Sequence, residues 1–310
     1  MVQSLHLRQI TIIGTGLIGG SLGLALRKNG FRGKIVGCDR KAVLARAKRM
    51  GAITAGIVDP VEASRGSDAV VLAVPVGGII DLIARLTPHL SPNSLLTDVG
   101  STKAEIVACA EKAFGNDAPR RFLAGHPMAG KENSGIEFAD AELFRGAVWF
   151  ITPLPGQRLN AGVVAEYLSW VKKIGAKVTT LNPDQHDALC AWISHVPQML
   201  STALAAALVE EYGENAPLLE SGGRALREMT RIAASPYSMW RDIAITNKKQ
   251  IANALLKLEQ HLAQIRENLD TRALEDEFNR AHKLRTIHQR DRGEIGRSGH
   301  RVIRRFPMTR

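Results

Sequence analysis

The sequence predicts an α/β fold in which a mostly parallel, helix-covered sheet is followed by an all-helical region. Three observations carry this. Short apolar, β-rich runs alternate with helical patterns as far as about residue 181. A glycine-rich turn follows the first of these runs. From Asn182 onward the strand pattern stops. Such alternation implies a crossover after each strand, which places helices on the faces of a parallel sheet.

In chain order the strand runs are 9–13, 34–38, 69–74, 94–97, 122–124, 147–152 and 176–181. Helical patterns occupy 17–29, 40–50, 77–86 and 102–114 between them. Beyond Asn182 the expected helices are 183–212, 216–232, 236–247 and 248–268, with a last one reaching about residue 290. Gly213, Gly222–Gly223 and Ser235–Pro236 supply the breaks. The expected divisions are therefore 1–181, 182–290 and a basic tail over 291–310, whose three glycines and many arginines predict disorder.

Charge and composition exclude several classes. The 310 residues carry 41 Lys and Arg against 30 Asp and Glu, a net charge of +11. Nine basic and two acidic residues fall between Lys283 and Arg310, so the tail holds +7 and the preceding 282 residues only +4. Nucleic acid is therefore not the expected partner of the body. Cys38, Cys109 and Cys190 lie 71 and 81 residues apart, which matches neither a metal site nor a disulfide framework. The amino terminus reaches glycines before a signal-peptide core forms, and no run approaches 18 uncharged apolar residues. A cytoplasmic location with no membrane partner is expected.

Residues 10–20 read ITIIGTGLIGG, a G-x-G-x-x-G at Gly14, Gly16 and Gly19 that ends a strand and opens a helix. Gly14 permits the tight turn, Gly16 lets backbone approach a pyrophosphate, and Gly19 allows close helix–strand packing. Leu17 and Ile18 begin the helix whose free N–H groups face the phosphates. Asp39, twenty residues after Gly19, stands where an acid hydrogen-bonds the adenosine ribose. This is a Rossmann-type dinucleotide signature. Asp39 favours NAD; Arg40 beside it keeps NADP as the alternative. Val74 and Pro75, at the end of a strand run, fit the wall of the cofactor crevice.

Three further segments concentrate polar chemistry. Asp98–Lys103 reads DVGSTK, where Ser101 and Thr102 are natural helix N-caps as well as candidate site residues. Gly125–Glu132 reads GHPMAGKE and holds His126 in a constrained loop, with a side chain suited to accept a proton from a substrate hydroxyl. On the helices, SHVPQ places His195 beside a proline inside an apolar pattern, and MWRDI offers Arg241, which suits a substrate carboxylate or a salt bridge with Asp242.

With ITIIGTGLIGGSLGLALR, DVGSTK, GHPMAGKENSG, SHVPQ and MWRDI in this order, the chain resembles the prephenate/arogenate (cyclohexadienyl) dehydrogenase family over about residues 9–270. The resemblance implies oxidative decarboxylation of prephenate or arogenate in tyrosine biosynthesis. It implies that His126 bonds the substrate 4-hydroxyl and promotes hydride transfer, with Ser101 orienting it and Thr102 near the cofactor. His195 and Arg241 would contact substrate, and Glu132 would act as an acid near the entrance. Gln198 stands where some relatives have histidine, and Lys131 where some have threonine. A homodimer joined through helices is also implied, in keeping with the long apolar stretch 188–208. Two other readings compete. One is a two-domain dehydrogenase acting on a β-hydroxyacid or imine, against which stands the absence of lysine between Lys177 and Lys248. The other is a non-catalytic dinucleotide sensor with a nucleic-acid-binding tail.

Overall fold

The structure is a computed structural model that describes residues 7–131, 133–213 and 221–294, with side chains as far as residue 284. Among the described residues, eight strands form one sheet in the order β3-β2-β1-β4-β5-β6-β7-β8. They are β1 (Gln9–Ile13), β2 (Lys34–Cys38), β3 (Ala55–Ile57), β4 (Ala69–Leu72), β5 (Leu95–Asp98), β6 (Phe122–Pro127), β7 (Val148–Thr152) and β8 (Lys177–Thr180). The first six are mutually parallel in the doubly wound 3-2-1-4-5-6 order, with the switch point between β1 and β4. β7 pairs antiparallel with β6, because a loop with a single 3-10 turn joins them in place of a crossover helix.

β3 escaped the sequence reading. It is a three-residue edge strand, Ala-Gly-Ile, too short to show a period. The other strands are legible because both sheet faces are buried. Ile10 and Ile12 of β1 enter one apolar cluster, while Ile13 enters the other. Val71 of β4 joins the first cluster, with Val70 and Leu72 in the second. Such near-continuous apolar runs mark a sheet covered on both sides.

The helices that place the site are α1 (Leu17–Lys28), α2 (Lys41–Arg49), α3 (Pro60–Ser64), α4 (Val76–Leu86) and α5 (Ala104–Phe114). After α6 (Ala118–Arg121) and α7 (Gly162–Lys173) come α8 (Pro183–Cys190) and α9 (Val196–Tyr212). Then follow α10 (Gly223–Thr230), α11 (Tyr237–Thr246), α12 (Lys248–Glu267) and α13 (Arg272–Glu294). Between α8 and α9, Ala191–His195 forms a π-helical turn. Pro197 explains it: proline lacks an N–H and its ring clashes with the carbonyl four residues earlier, so the ladder widens just before it.

The chain packs as two compact units, the first ending at Ala254 and the second beginning at Leu255. Helices from Pro183 to Ala254 thus pack with the sheet in the first unit. The second unit consists of helical chain in which no described residue is buried, with Leu269 and Phe278 66% and 68% exposed. The part of the tail over 295–310 lies outside the described residues, as does Glu132. The Pro183–Tyr212 stretch is long and apolar enough to cross a membrane by length and composition, with mean hydropathy 1.2 in its most apolar window. This departs from the sequence expectation. The stretch also carries buried His186, Asp187 and His195, whose polar partners are within the first unit.

Candidate active site

The site lies at the carboxyl ends of β1, β4, β5 and β6, where an open α/β sheet leaves a crevice. A cleft of about 580 Å³ is lined by Gly16, Val74, Ser101, His126, Lys131 and Trp240, among others. Its floor begins with the glycine turn. Gly14 has φ +91°, and a Cβ there would stand 2.4 Å from the Ala73 carbonyl oxygen. A Cβ at Gly19 would stand 1.9 Å from the Gly14 carbonyl oxygen. No other side chain fits either place. At Gly16 nothing lies within 4 Å of a would-be Cβ, so the turn is open above the α1 N-terminus. Leu17, Ile18, Val74 and Pro75 line the same cleft.

Asp39 follows β2. Its Oδ2 accepts from the Thr15 backbone N–H at 2.9 Å and its Oδ1 from the Arg40 N–H at 2.7 Å. Oδ2 also accepts from the Thr15 hydroxyl at 3.4 Å, and Oδ1 keeps a lone pair for a ribose hydroxyl. Arg40 is exposed. An open backbone turn at a helix N-terminus, with an acid on the neighbouring strand, fits a dinucleotide.

The DVGSTK segment builds the middle of the site, but not as the capping rule predicts. Helix α5 begins at Ala104, and Lys103 occupies its N-cap position. The capping carboxylate comes from Asp187, which accepts from the backbone N–H groups of Lys103 at 2.7 Å and Ala104 at 2.9 Å. Ser101 is free of that duty and lines the cleft. Thr102 is fully buried, and its hydroxyl pairs with that of Thr246 at 2.8 Å rather than facing the cleft. The Lys103 ammonium forms an ion pair with Asp98, both side chains being fully buried, and donates to the Gly125 carbonyl at 2.8 Å. Asp98 in turn accepts from the backbone N–H groups of Gly100 (2.8 Å) and Gly125 (3.2 Å). This network clamps the end of β5 to the residue before His126.

His126, 8% exposed, reaches the cleft from the end of β6. Its Nδ1 lies 2.9 Å from Nε2 of His186, whose Nδ1 lies 2.8 Å from Oδ1 of Asp187. The Cys190 sulfur is 3.4 Å from the same His186 nitrogen. Burial drives the His126 pKa well below its ordinary 6.5, and the nearby His186, Lys103 and His195 add to this. Burial thus favours the neutral ring. The donor atoms of His126, His186 and Cys190 cluster closely enough to hold a metal, but each already has a partner within the trio. His186 and Asp187 were not singled out from the sequence. They lie one helix before SHVPQ, and only their spacing of three or four residues from Cys190 on α8 hinted at a shared face.

The remaining expected residues are placed as follows. His195 is fully buried and does not line the cleft; its Nδ1 is 3.2 Å from the Asn247 amide, and its Nε2 lacks a partner among the described residues. Burial lowers its pKa to about 4. Trp240, edge-on to His195 with ring centres 6.0 Å apart, lines the cleft, as does Ser194. Gln198 is buried and donates to the Ile232 carbonyl at 2.9 Å and the Thr202 hydroxyl at 3.2 Å, a packing arrangement away from the cleft. Arg241 forks onto Oδ1 of Asp242 at 2.9 and 3.0 Å, while Asp242 Oδ2 accepts from the Gly77 N–H at the start of α4. Of the two readings of Arg241, the structure displays the ion pair. Lys131 lines the cleft and lies 3.5 Å from Asp140.

The match to family models decides the relationship. Residues 22–180 match the nucleotide-binding domain of prephenate dehydrogenase, and residues 182–284 match its dimerization domain. The chain belongs to the prephenate dehydrogenase family. A prephenate dehydrogenase of Lactococcus lactis is 31% identical over 93% of this chain and 80% of its own length. A cyclohexadienyl dehydrogenase of Zymomonas mobilis is 30% identical over 82% of this chain and 84% of its own. Among solved structures, prephenate dehydrogenase of Aquifex aeolicus in complex with hydroxyphenyl propionate and NAD+ superposes with a TM-score of 0.81. It is 30% identical, covering 93% of this chain and 99% of that one. Arogenate dehydrogenase of Synechocystis superposes with a TM-score of 0.69 at 27% identity, over 93% and 99% of the two chains. The chain is therefore an oxidoreductase of this family, with a nucleotide-binding domain, catalysing the oxidative decarboxylation of a cyclohexadienol in tyrosine biosynthesis. Membership in this family overrides the hydroxyacid-dehydrogenase and non-catalytic readings.

Proposed function

We propose that the cleft takes prephenate or arogenate, and that His126 is the group that removes the proton of its ring hydroxyl. The observation carrying this is a buried imidazole, held by a hydrogen-bonded network, on the wall of a cleft whose floor is an open dinucleotide turn. NAD, when bound, accepts the hydride from the carbinol carbon. The chain's own residues do the rest. Leu17 and Ile18 present the helix N-terminus to the pyrophosphate. Val74 and Pro75 form an apolar wall that excludes water, and Asp39 holds the ribose. His126 Nε2 accepts the hydroxyl proton as the hydride departs, and loss of CO2 then makes the ring aromatic. Ser101 contributes a hydroxyl and Lys131 a cation to the lining of the same cleft. Arg241 stands beside the cleft-lining Trp240, outside the lining itself, and would meet a substrate carboxylate only by releasing Asp242. Buried His195 acts through Trp240 rather than by touching substrate.

The decisive test is turnover. Prephenate and arogenate, each with NAD and with NADP, should give reduced nicotinamide with NAD and at least one substrate. Absence of reduced cofactor in all four mixtures would reject the reading.

We further infer a homodimer. Trp192, Ile193 and Val209 on the Pro183–Tyr212 stretch are 44–49% exposed, and Leu262, Leu269 and Phe278 of the second unit are 49–68% exposed. So much apolar surface on helices matches an obligate interface more than a free face. Sedimentation should give the mass of two chains, and a single-chain mass at micromolar concentration would rule it out.

A further inference from the structure

The hydrogen bonds around His126 fix more than its position. Asp187 has three nitrogens within hydrogen-bond distance: the Lys103 and Ala104 backbone amides and His186 Nδ1. Two are backbone amides, which can only donate, and an ionised carboxylate can only accept. The hydrogen of His186 therefore sits on Nδ1, and its Nε2 carries a lone pair. That nitrogen lies 2.9 Å from Nδ1 of His126. Two neutral imidazole nitrogens at this distance need one hydrogen between them, and it must belong to His126. His126 is then protonated on Nδ1, and its Nε2 is the bare base.

We propose that His186 and Asp187 are positioning residues that lock His126 in the Nδ1–H tautomer, so that Nε2 stands ready to take the substrate proton. This rests on the proposed role of His126. Neither residue lines the cleft, and both are buried. Phe150 packs edge-on against His186, with ring centres 5.5 Å apart. His186 cannot turn over without leaving the Asp187 carboxylate short of a donor and His126 Nδ1–H without an acceptor. A buried donor without a partner is costly, so the lock is strong. Cys190, 3.4 Å from His186 Nε2, competes only weakly, because a thiol is a poor donor.

The logic parallels catalytic triads, where a carboxylate holds an imidazole in its working tautomer and loss of that control costs rate rather than binding. The relay here is longer by one imidazole, and its far end doubles as the N-cap of α5. One carboxylate thus sets both the start of a helix and the state of a base.

The experiment reads the tautomer and the rate separately. Side-chain 15N–1H correlation spectra of the full-length protein should show His126 with a pyrrole-type Nδ1 and a pyridine-type Nε2. In His186→Leu the pattern should reverse or become mixed, because an exposed Nε2–H finds water more readily than a buried Nδ1–H finds a partner. The same variant should lose on the order of 10²-fold in kcat with prephenate or arogenate, with KM values for substrate and NAD within about threefold. His186→Gln, whose amide oxygen can accept from Nδ1, should recover much of that loss. An Nε2–H tautomer in the wild-type protein overturns the proposal, and so does a folded His186→Leu variant with kcat within twofold of wild type. If His186→Leu fails to fold, the wild-type spectrum still decides. Failure of the base assignment is distinguishable: His126→Asn would then keep its turnover whatever the His186 variants do.

Discussion

Replacing His126 by asparagine should lower kcat by about 10²- to 10⁴-fold, the range supplied by a positioned general base, while KM changes little. Asparagine retains an amide near Nδ1 and can still bond His186, so the clamp on the end of β6 survives. What disappears is Nε2, the lone pair facing the cleft. Proton removal matters in the transition state and not in the ground-state complex, hence the expected split between kcat and KM. The pH profile gives the second signature. Burial first, then His186, Lys103 and His195, hold the His126 pKa well below 6.5. A base with a depressed pKa stays unprotonated, and active, down to that pKa. Wild-type kcat should therefore hold steady from neutrality through pH 6.5 and fall only below it, and the Asn variant should lack this acid limb. A KM that rises in step with an unchanged kcat would overturn the assignment.

Lys103→Met should destabilise the protein by about 3–5 kcal/mol, the cost of removing one partner from a buried ion pair. Lys103 and Asp98 are both fully buried, and methionine fills the space of the lysine stem without its charge. Asp98 would keep the Gly100 and Gly125 N–H groups but lose its cation, and the Gly125 carbonyl would lose its 2.8 Å donor. Because Gly125 precedes His126, the base should loosen as well. Adding Asp98→Asn removes the orphaned charge and should recover part of the loss. Urea unfolding checks both variants: a single-variant loss under about 1 kcal/mol would show that the pair is not needed for stability. Loss of the Lys103 charge should also raise the His126 pKa, since that cation is among the groups that depress it.

Much of the site was legible in the sequence where the constraint is local. The glycine turn is one case: the demands at Gly14 and Gly19 come from backbone torsion and from atoms within a strand, a turn and a helix. His126 was legible because it stands where a strand run reaches the ligand-binding edge, although it lies within β6, paired with Phe150, and not in the constrained loop expected after residue 124. The Ser101 and Thr102 capping expectation failed for the opposite reason. A capping hydroxyl three residues from a helix start is a sound local choice, yet a carboxylate 84 positions later reaches the Lys103 N–H instead. For Arg241 the sequence left a substrate carboxylate and a salt bridge with Asp242 open, and the structure displays the salt bridge. The edge strand β3 was invisible because three residues paired on one side need no apolar period.

By itself, the sequence determined the doubly wound sheet, the dinucleotide turn and the family, because strand periods, glycine torsions and ordered short motifs are written within a few residues of one another. Only the tertiary structure decided how the base is held. His126 and His186 are 60 residues apart in the chain, and Thr102 and Thr246 are 144 apart. A hydrogen-bond partner is chosen by which buried donor and acceptor end up facing each other once helices pack on a sheet, and no local pattern encodes that. The tautomer of His126 is therefore a property of the fold, set by a carboxylate on a helix that the sequence offered only as the approach to its neighbouring motif.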